Sequence, residues 1–218
     1  IWSTDSLDRT NEIILMNDAL NHRGPDGNGH WHDLERSIFF GHTRLSILDV
    51  SDNGMQPMLS SSSRYVMVFN GEIYNHLEIR DEINKNDPDF KWKGTSDTET
   101  ILAAIDLWGF HKTCKKLLGM FAIALWDRSD QKLYLARDRV GEKPLYYFQS
   151  NSLFSFSSEP KAFSEVNGFK KAINLKSLSS FVKFSYVPDS CSIFESVYKV
   201  EPGSIIMLSD PTKKPSLE

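Results

Sequence analysis

Arg44 stands at the head of Arg44-Leu45-Ser46-Ile47-Leu48, a guanidinium where an apolar run begins. Two chemistries suit that placement. One is a strand-end arginine whose stem lies on apolar surface with its head in water. The other is a carboxylate anchor, because the planar guanidinium fork matches two carboxylate oxygens. Asn70-Gly71 lies between Val66-Met67-Val68-Phe69 and Glu72-Ile73-Tyr74-Asn75. An Asn-Gly pair between apolar runs reads first as a hairpin turn, yet an Asn amide beside a glycine N–H also supplies two donors for an oxyanion. Asp97 falls in Ser96-Asp97-Thr98-Glu99 at the start of a helix, where negative charge is favoured on its own account. Facing a pocket, the same carboxylate would hold an ammonium group.

The histidines and cysteines promise less. His30-x-His32 would put two imidazoles on one face of a strand, but no third metal ligand lies nearby. His22, His42, His76 and His111 are scattered and read as surface or internally satisfied residues. Cys114 has basic neighbours, Lys112, Lys115 and Lys116, that would lower a thiol pKa, although a packing cysteine on a helix is the better account. Cys191 sits in a loop-like stretch. The residues alone give an anion anchor, an oxyanion site and a cation anchor, but no nucleophile.

Such groups need a folded scaffold. The chain has 218 residues, 40% apolar and 25% charged, which is ample for a buried core. A net charge of −4 invites neither nucleic acid nor anionic lipid. No apolar run approaches the ~20 residues of a membrane span, and two cysteines without a CxxC exclude a disulfide scaffold and a structural zinc site. No signal peptide is visible, so a reducing, cytoplasmic setting is expected. Apolar spacing predicts helices over 10–20, 75–84, 98–108, 159–163 and 175–184, the third opened by an S-x-x-E capping box at Ser96. Branched and aromatic runs predict strands over 37–40, 45–48, 65–69, 120–126, 132–136, 145–148, 153–157 and 204–208. Closely spaced strands with helices in groups argue an α+β fold of helices on antiparallel sheets.

Seven segments occur in a telling order: His22-Arg23-Gly24-Pro25-Asp26, Arg44-Leu45-Ser46-Ile47, Asn70-Gly71-Glu72-Ile73-Tyr74-Asn75, Ser96-Asp97-Thr98-Glu99, Gly119-Met120-Phe121-Ala122, the stretch from Arg137-Asp138-Arg139 to Leu145-Tyr146-Tyr147, and Ser157-Ser158-Glu159-Pro160-Lys161-Ala162. Together they resemble the N-terminal glutaminase domain of the glutamine-hydrolysing asparagine synthetases, a class II glutamine amidotransferase, over residues 1–208. The resemblance implies an N-terminal nucleophile hydrolase fold, a four-layer αββα sandwich of two antiparallel sheets. It also implies roles. Arg44 would grip the α-carboxylate of glutamine and Asp97 its α-ammonium group. The segments holding Leu45, Ser46, Ile47, Leu48 and Glu72 would line the pocket, Asn70 and the Gly71 N–H would form the oxyanion hole, and Asn75 would support the amide side of the substrate.

Two departures qualify the resemblance. The family begins with cysteine, typically Cys-Gly-Ile-Ala-Gly-Ile, whose thiolate attacks the substrate amide while its own α-amine, of pKa roughly 7.7–8, serves as base. This sequence opens at Ile1-Trp2, which matches the end of that stretch with about five residues lost. The nucleophile is therefore expected upstream of Ile1, and the chain as it stands is expected to be inactive, since neither Cys114 nor Cys191 carries a free α-amine. At the other end, 209–218 reads as a linker. Tyr186-Val187-Pro188, Ile193-Phe194 and Pro202-Gly203 resemble the lead into an ATP-pyrophosphatase domain that the sequence does not contain. The expected partners are glutamine and that synthetase domain, which would hold ATP and Mg²⁺. This domain would need no cofactor, no nucleic acid and no membrane, and a homodimer is its expected assembly. Rival readings are a non-catalytic binding or assembly domain, and an amidotransferase for another acceptor, such as a cell-surface sugar acid or a β-lactam precursor.

Overall fold

The computed structural model describes residues 1–188 and 190–217. In chain order the elements are β1 (Trp2–Ser3), α1 (Thr10–Leu20), β2 (Gly27–Asp33), β3 (Ile38–Arg44), β4 (Met58–Leu59), β5 (Tyr65–Ile73), α2 (His76–Asn86), α3 (Asp97–Trp108), α4 (Phe110–Lys116), β6 (Gly119–Asp127), β7 (Lys132–Arg137), β8 (Tyr146–Gln149), β9 (Leu153–Ser157), α5 (Leu175–Phe184), β10 (Val197–Lys199), β11 (Ile205–Leu208) and β12 (Ser216–Leu217). Two six-stranded sheets result, ordered β10-β8-β9-β1-β3-β2 and β12-β11-β7-β6-β5-β4, with every strand pairing antiparallel.

Three apolar layers hold the sheets and helices together. Between the sheets lie Trp2, Phe40, Val66, Trp126, Leu133 and Phe154. Ile13, Met16, Phe39, Phe148 and Phe163 join the first sheet to α1 and to the 3₁₀ turn Pro160–Glu165. Met67, Phe69, Ile73, Ile101, Ile105 and Ile123 join the second sheet to α2, α3 and α4. The order is helix, sheet, sheet, helix, the four-layer αββα sandwich expected of the sequence. Each fully buried aliphatic side chain adds about 1.5–3 kcal/mol.

Local chemistry explains the helix starts. Ser96 Oγ accepts the Glu99 N–H at 3.2 Å and opens α3. Glu99 reaches past the cap to accept the N–H groups of Lys93 (2.7 Å) and Gly94 (3.0 Å), tying the preceding loop to the helix. Asp8 accepts both the N–H and the hydroxyl of Thr10 ahead of α1.

Several expectations need correction. Asn70-Gly71 is not a hairpin turn: it lies inside β5, whose nine residues all pair with β6. Burial of Ile73 (0% exposed) carries the strand past the glycine. The predicted strand 45–48 is an exposed loop, because β3 ends at Arg44 and Leu45, Ile47 and Leu48 find no layer to enter. The helix predicted over 159–163 is a 3₁₀ turn that opens with Pro160. In the expected linker, Ser216 and Leu217 pair with β11, while Glu218 lies outside the described residues. The short strands β1, β4 and β10 carry too few residues to show a period.

Candidate active site

A cavity of about 320 Å³ opens where β3, β5 and the start of α3 converge, and Arg44, Asn70, Gly71 and Asp97 all line it. The 45–48 loop and Glu72 lie on the same lining. Asn75 does not. Its side chain bridges the chain beyond α4, donating to the Lys116 carbonyl (3.0 Å) and accepting the Leu118 N–H (2.9 Å).

Register fixes how β5 faces the cavity. In an antiparallel ladder, alternate residues turn both backbone polar groups away from the partner strand. Phe69 does so, since its N–H donates to Gln56 Oε1 at 2.6 Å rather than to β6. Ile73 does so too, with its N–H on Asp97 Oδ2 at 3.0 Å. Gly71 sits midway between them, opposite Phe121, so its N–H leaves the same edge, between Gln56 and Asp97, both of which line the cavity. A side chain at this position is impossible without movement: a Cβ on Gly71 would lie 2.1 Å from the Met120 carbonyl oxygen. Next to it, the buried Asn70 side-chain nitrogen has no hydrogen-bond partner among the described residues. Two adjacent donors, one backbone and one side chain, thus lie on the lining of the cavity.

Arg44 is buried (7% exposed), not a strand-end arginine with its head in water. It donates to the carbonyls of Ser51 (2.9 Å) and Asp49, which occupies two of its five N–H donors and fixes the 49–51 loop around it. Asp49 then fastens that loop across the cavity rim. Its carboxylate accepts the Ser51 hydroxyl (2.6 Å) and the Thr95 N–H (2.8 Å), and these bonds hold its pKa down at about 2.

Asp97 is 6% exposed, and burial pushes its carboxyl above the usual range while the Ile73 amide and the nearby His76 act against that. A buried carboxylate bonded to a backbone amide, without an ion-pair partner among the described residues, is suited to a ligand cation.

His42 departs from the expectation of a satisfied histidine. Burial lowers its pKa to about 4, against a backbone hydrogen bond with Phe69, and its buried Nδ1 has no partner among the described residues. It is a neutral imidazole on the cavity wall. Gln56 is a further wall residue that sequence reasoning missed. It accepts from Phe69 and donates to Thr98 Oγ1 at 3.3 Å, joining β5 to α3.

The Arg137-Asp138 segment builds the floor. Asp138 (1% exposed) accepts N–H bonds from Phe121, Val140, Glu142 and Lys143, and Lys143 and Leu145 line the cavity. Cys114 is a packing residue of α4 whose thiol is pushed up to about 12 by burial. Among the described residues no three His, Cys, Asp or Glu side chains converge as a metal centre. Nor is any helix among them long and apolar enough to cross a membrane.

The fold is thus an αββα sandwich whose cavity is walled by the edge amides of β5. The chain belongs to the glutamine amidotransferase domain family, whose model matches residues 2–216. Asparagine synthetase [glutamine-hydrolyzing] 1 of Bacillus subtilis is 39% identical over 199 residues, covering 91% of this chain and 30% of that protein. Amidase chry2 of Gibberella zeae is 34% identical over 207 residues, covering 95% and 30%. Among solved structures, the glutamine phosphoribosylpyrophosphate amidotransferase of B. subtilis superposes with a TM-score of 0.64 at 17% identity, over 95% of this chain and 46% of that one. The chain spans about a third of the length of the curated relatives it matches.

Proposed function

We propose that this chain is the glutamine-hydrolysing part of an asparagine synthetase-type enzyme and that its nucleophile is a cysteine preceding Ile1 in the full-length protein. The carrying observation is the outward edge of β5, where the Gly71 N–H stands between two amides already engaged by Gln56 and Asp97. A tetrahedral oxyanion needs two convergent donors, and Gly71 with Asn70 supplies them. Strand register supports the position of the nucleophile. Trp2 pairs with Ile38, and the Ile1 nitrogen bonds the Phe39 carbonyl at 2.7 Å. Continued upstream, the same register sets the fifth residue before Ile1 opposite Arg44, on the cavity.

In this reading Arg44 and Asp97 hold the two charged α-groups of glutamine, and the thiolate attacks the side-chain amide carbon. Asn70 and Gly71 bind the oxyanion while ammonia leaves, and water then releases glutamate from the thioester. The longer region present in the relatives would hold ATP and Mg²⁺ and select the acceptor. The described residues offer no cluster of carboxylates fit for that ion.

The test is glutamate release by the protein carrying Met-Cys-Gly-Ile-Ala-Gly ahead of Ile1. Turnover that disappears on Cys→Ala supports the proposal. A folded, extended protein that binds glutamine without hydrolysing it sinks the catalytic reading in favour of a binding domain.

A further inference from the structure

Helix α5 turns most of its apolar side chains away from the domain. Leu175 (75% exposed), Leu178, Phe181 and Val182 (77% exposed) fall on one stripe at helical spacing, and Phe184 at the last position of the helix and Tyr186 just beyond it are exposed as well. The buried residue of the helix is Ser177, on a neighbouring face. No other helix or strand packs substantially against α5 among the described residues. Both ends are nevertheless tied down. Asn174 caps the N–H groups of Lys176 and Ser177 and bonds the Ile193 carbonyl through its own N–H. Ser185 closes the C-terminus in the left-handed conformation, φ +63°.

A ten-residue helix is marginal in water without an apolar partner, and a contiguous exposed apolar patch marks an interface. The occupant must be apolar, since Lys176 and Lys183 fall on the opposite side of the helix from the stripe. We infer that α5 is the docking helix for the remaining two thirds of polypeptide that the curated relatives possess, packed as a helix in an apolar groove of that region. The inference rests on the reading that this chain is one part of such a longer protein. It assigns the contact surface to α5 and leaves the cavity mouth out of it.

Hydrogen exchange of segment 175–184 in the full-length protein, compared with the 218-residue chain alone, tests this without relying on catalysis. Exchange at least ten-fold slower in the full-length protein supports the inference, and equal rates overturn it. The paired variant L178E/F181E in the full-length protein should keep glutamate release within about two-fold while glutamine-dependent synthesis falls at least ten-fold. Synthesis from added ammonium salt should persist. Unchanged glutamine-dependent synthesis overturns the proposal. So does protection of α5 in the isolated chain that rises with protein concentration alongside a dimer in sedimentation, since the occupant is then a second copy. Protection brought by anionic lipid vesicles alone overturns it in favour of a membrane surface. Loss of glutamate release in the unsubstituted protein would strike at the glutaminase reading and leave the exchange result interpretable.

Discussion

The backbone N–H of Ile73 donates to Oδ2 of Asp97 across 3.0 Å, so the carboxylate proposed to hold an ammonium group is held by the strand that carries the proposed oxyanion donors. In that proposal both ends of the substrate are measured from a single strand. The distance between the two subsites is set by strand rise, about 3.3 Å per residue, and not by a loop.

Asn70 and Gly71 should separate cleanly on substitution. In the protein carrying the nucleophile, Asn70→Ala is expected to lower kcat by about 10²–10³. Its melting temperature should barely move, because the side-chain nitrogen has no partner to lose. Gly71→Ala is expected to cost about 1–3 kcal/mol of stability by overpacking, since its Cβ would meet the Met120 oxygen at 2.1 Å. Urea denaturation alongside glutaminase kinetics distinguishes the two.

Asp97→Asn keeps an oxygen for the Ile73 amide and removes the charge. A charge-assisted hydrogen bond contributes about 1.5–3 kcal/mol, so KM for glutamine should rise roughly 10–100-fold with little change in melting temperature. An unchanged KM would show that the ammonium group binds elsewhere.

Asp138 should register in acid. Burial alone would raise its carboxyl, but the amides of Lys143, Glu142, Phe121 and Val140 outweigh that and hold it below the ordinary carboxylate range. Its contribution is then present above the unfolded-state value near 3.8 and lost as pH falls through the lower folded value. Asp138→Asn is expected to cost at least about 1.5–3 kcal/mol at pH 7. The gap from the natural protein, followed by urea unfolding, should narrow below pH 4.

His42 gives a pH dependence in a different window. Its folded pKa of about 4 lies below the ordinary 6.5, so the unfolded chain takes up the proton first. Stability contributed by the neutral ring is full above pH 6.5 and is lost progressively between 6.5 and 4. Equilibrium unfolding at pH 7 and pH 4.5 should show a steeper loss for the natural protein than for His42→Gln.

Much of this was legible in the residues. Helices 10–20 and 175–184 match their predicted bounds, and the capping box at Ser96 lies where the S-x-x-E spacing put it. Arg44, Asn70, Gly71 and Asp97 were each singled out from the sequence, and all four line the cavity. What local pattern missed depends on partners distant in sequence. Asn70-Gly71 resembles a turn until β6 lies alongside, and no short window shows that pairing. Leu45 to Leu48 resembles a strand until the sheet ends at Arg44. His42 looked ordinary because its burial comes from two sheets meeting, and Gln56 because its partners, Phe69 and Thr98, lie 13 and 42 residues away.

The place of β1 in the middle of its sheet has a consequence for biosynthesis. Trp2 pairs with both Ile38 and Phe154, so β1 waits for a strand made about 150 residues later. At about 5–20 residues per second, roughly 8–30 s separate the emergence of the two partners from the ribosome. Until β9 arrives, the cavity lacks the wall that Ser157 and Ser158 provide. A nascent chain therefore lacks a complete cavity until β9 has been made, and shortening the chain before residue 153 should remove that cavity wall as well as the sheet pairing.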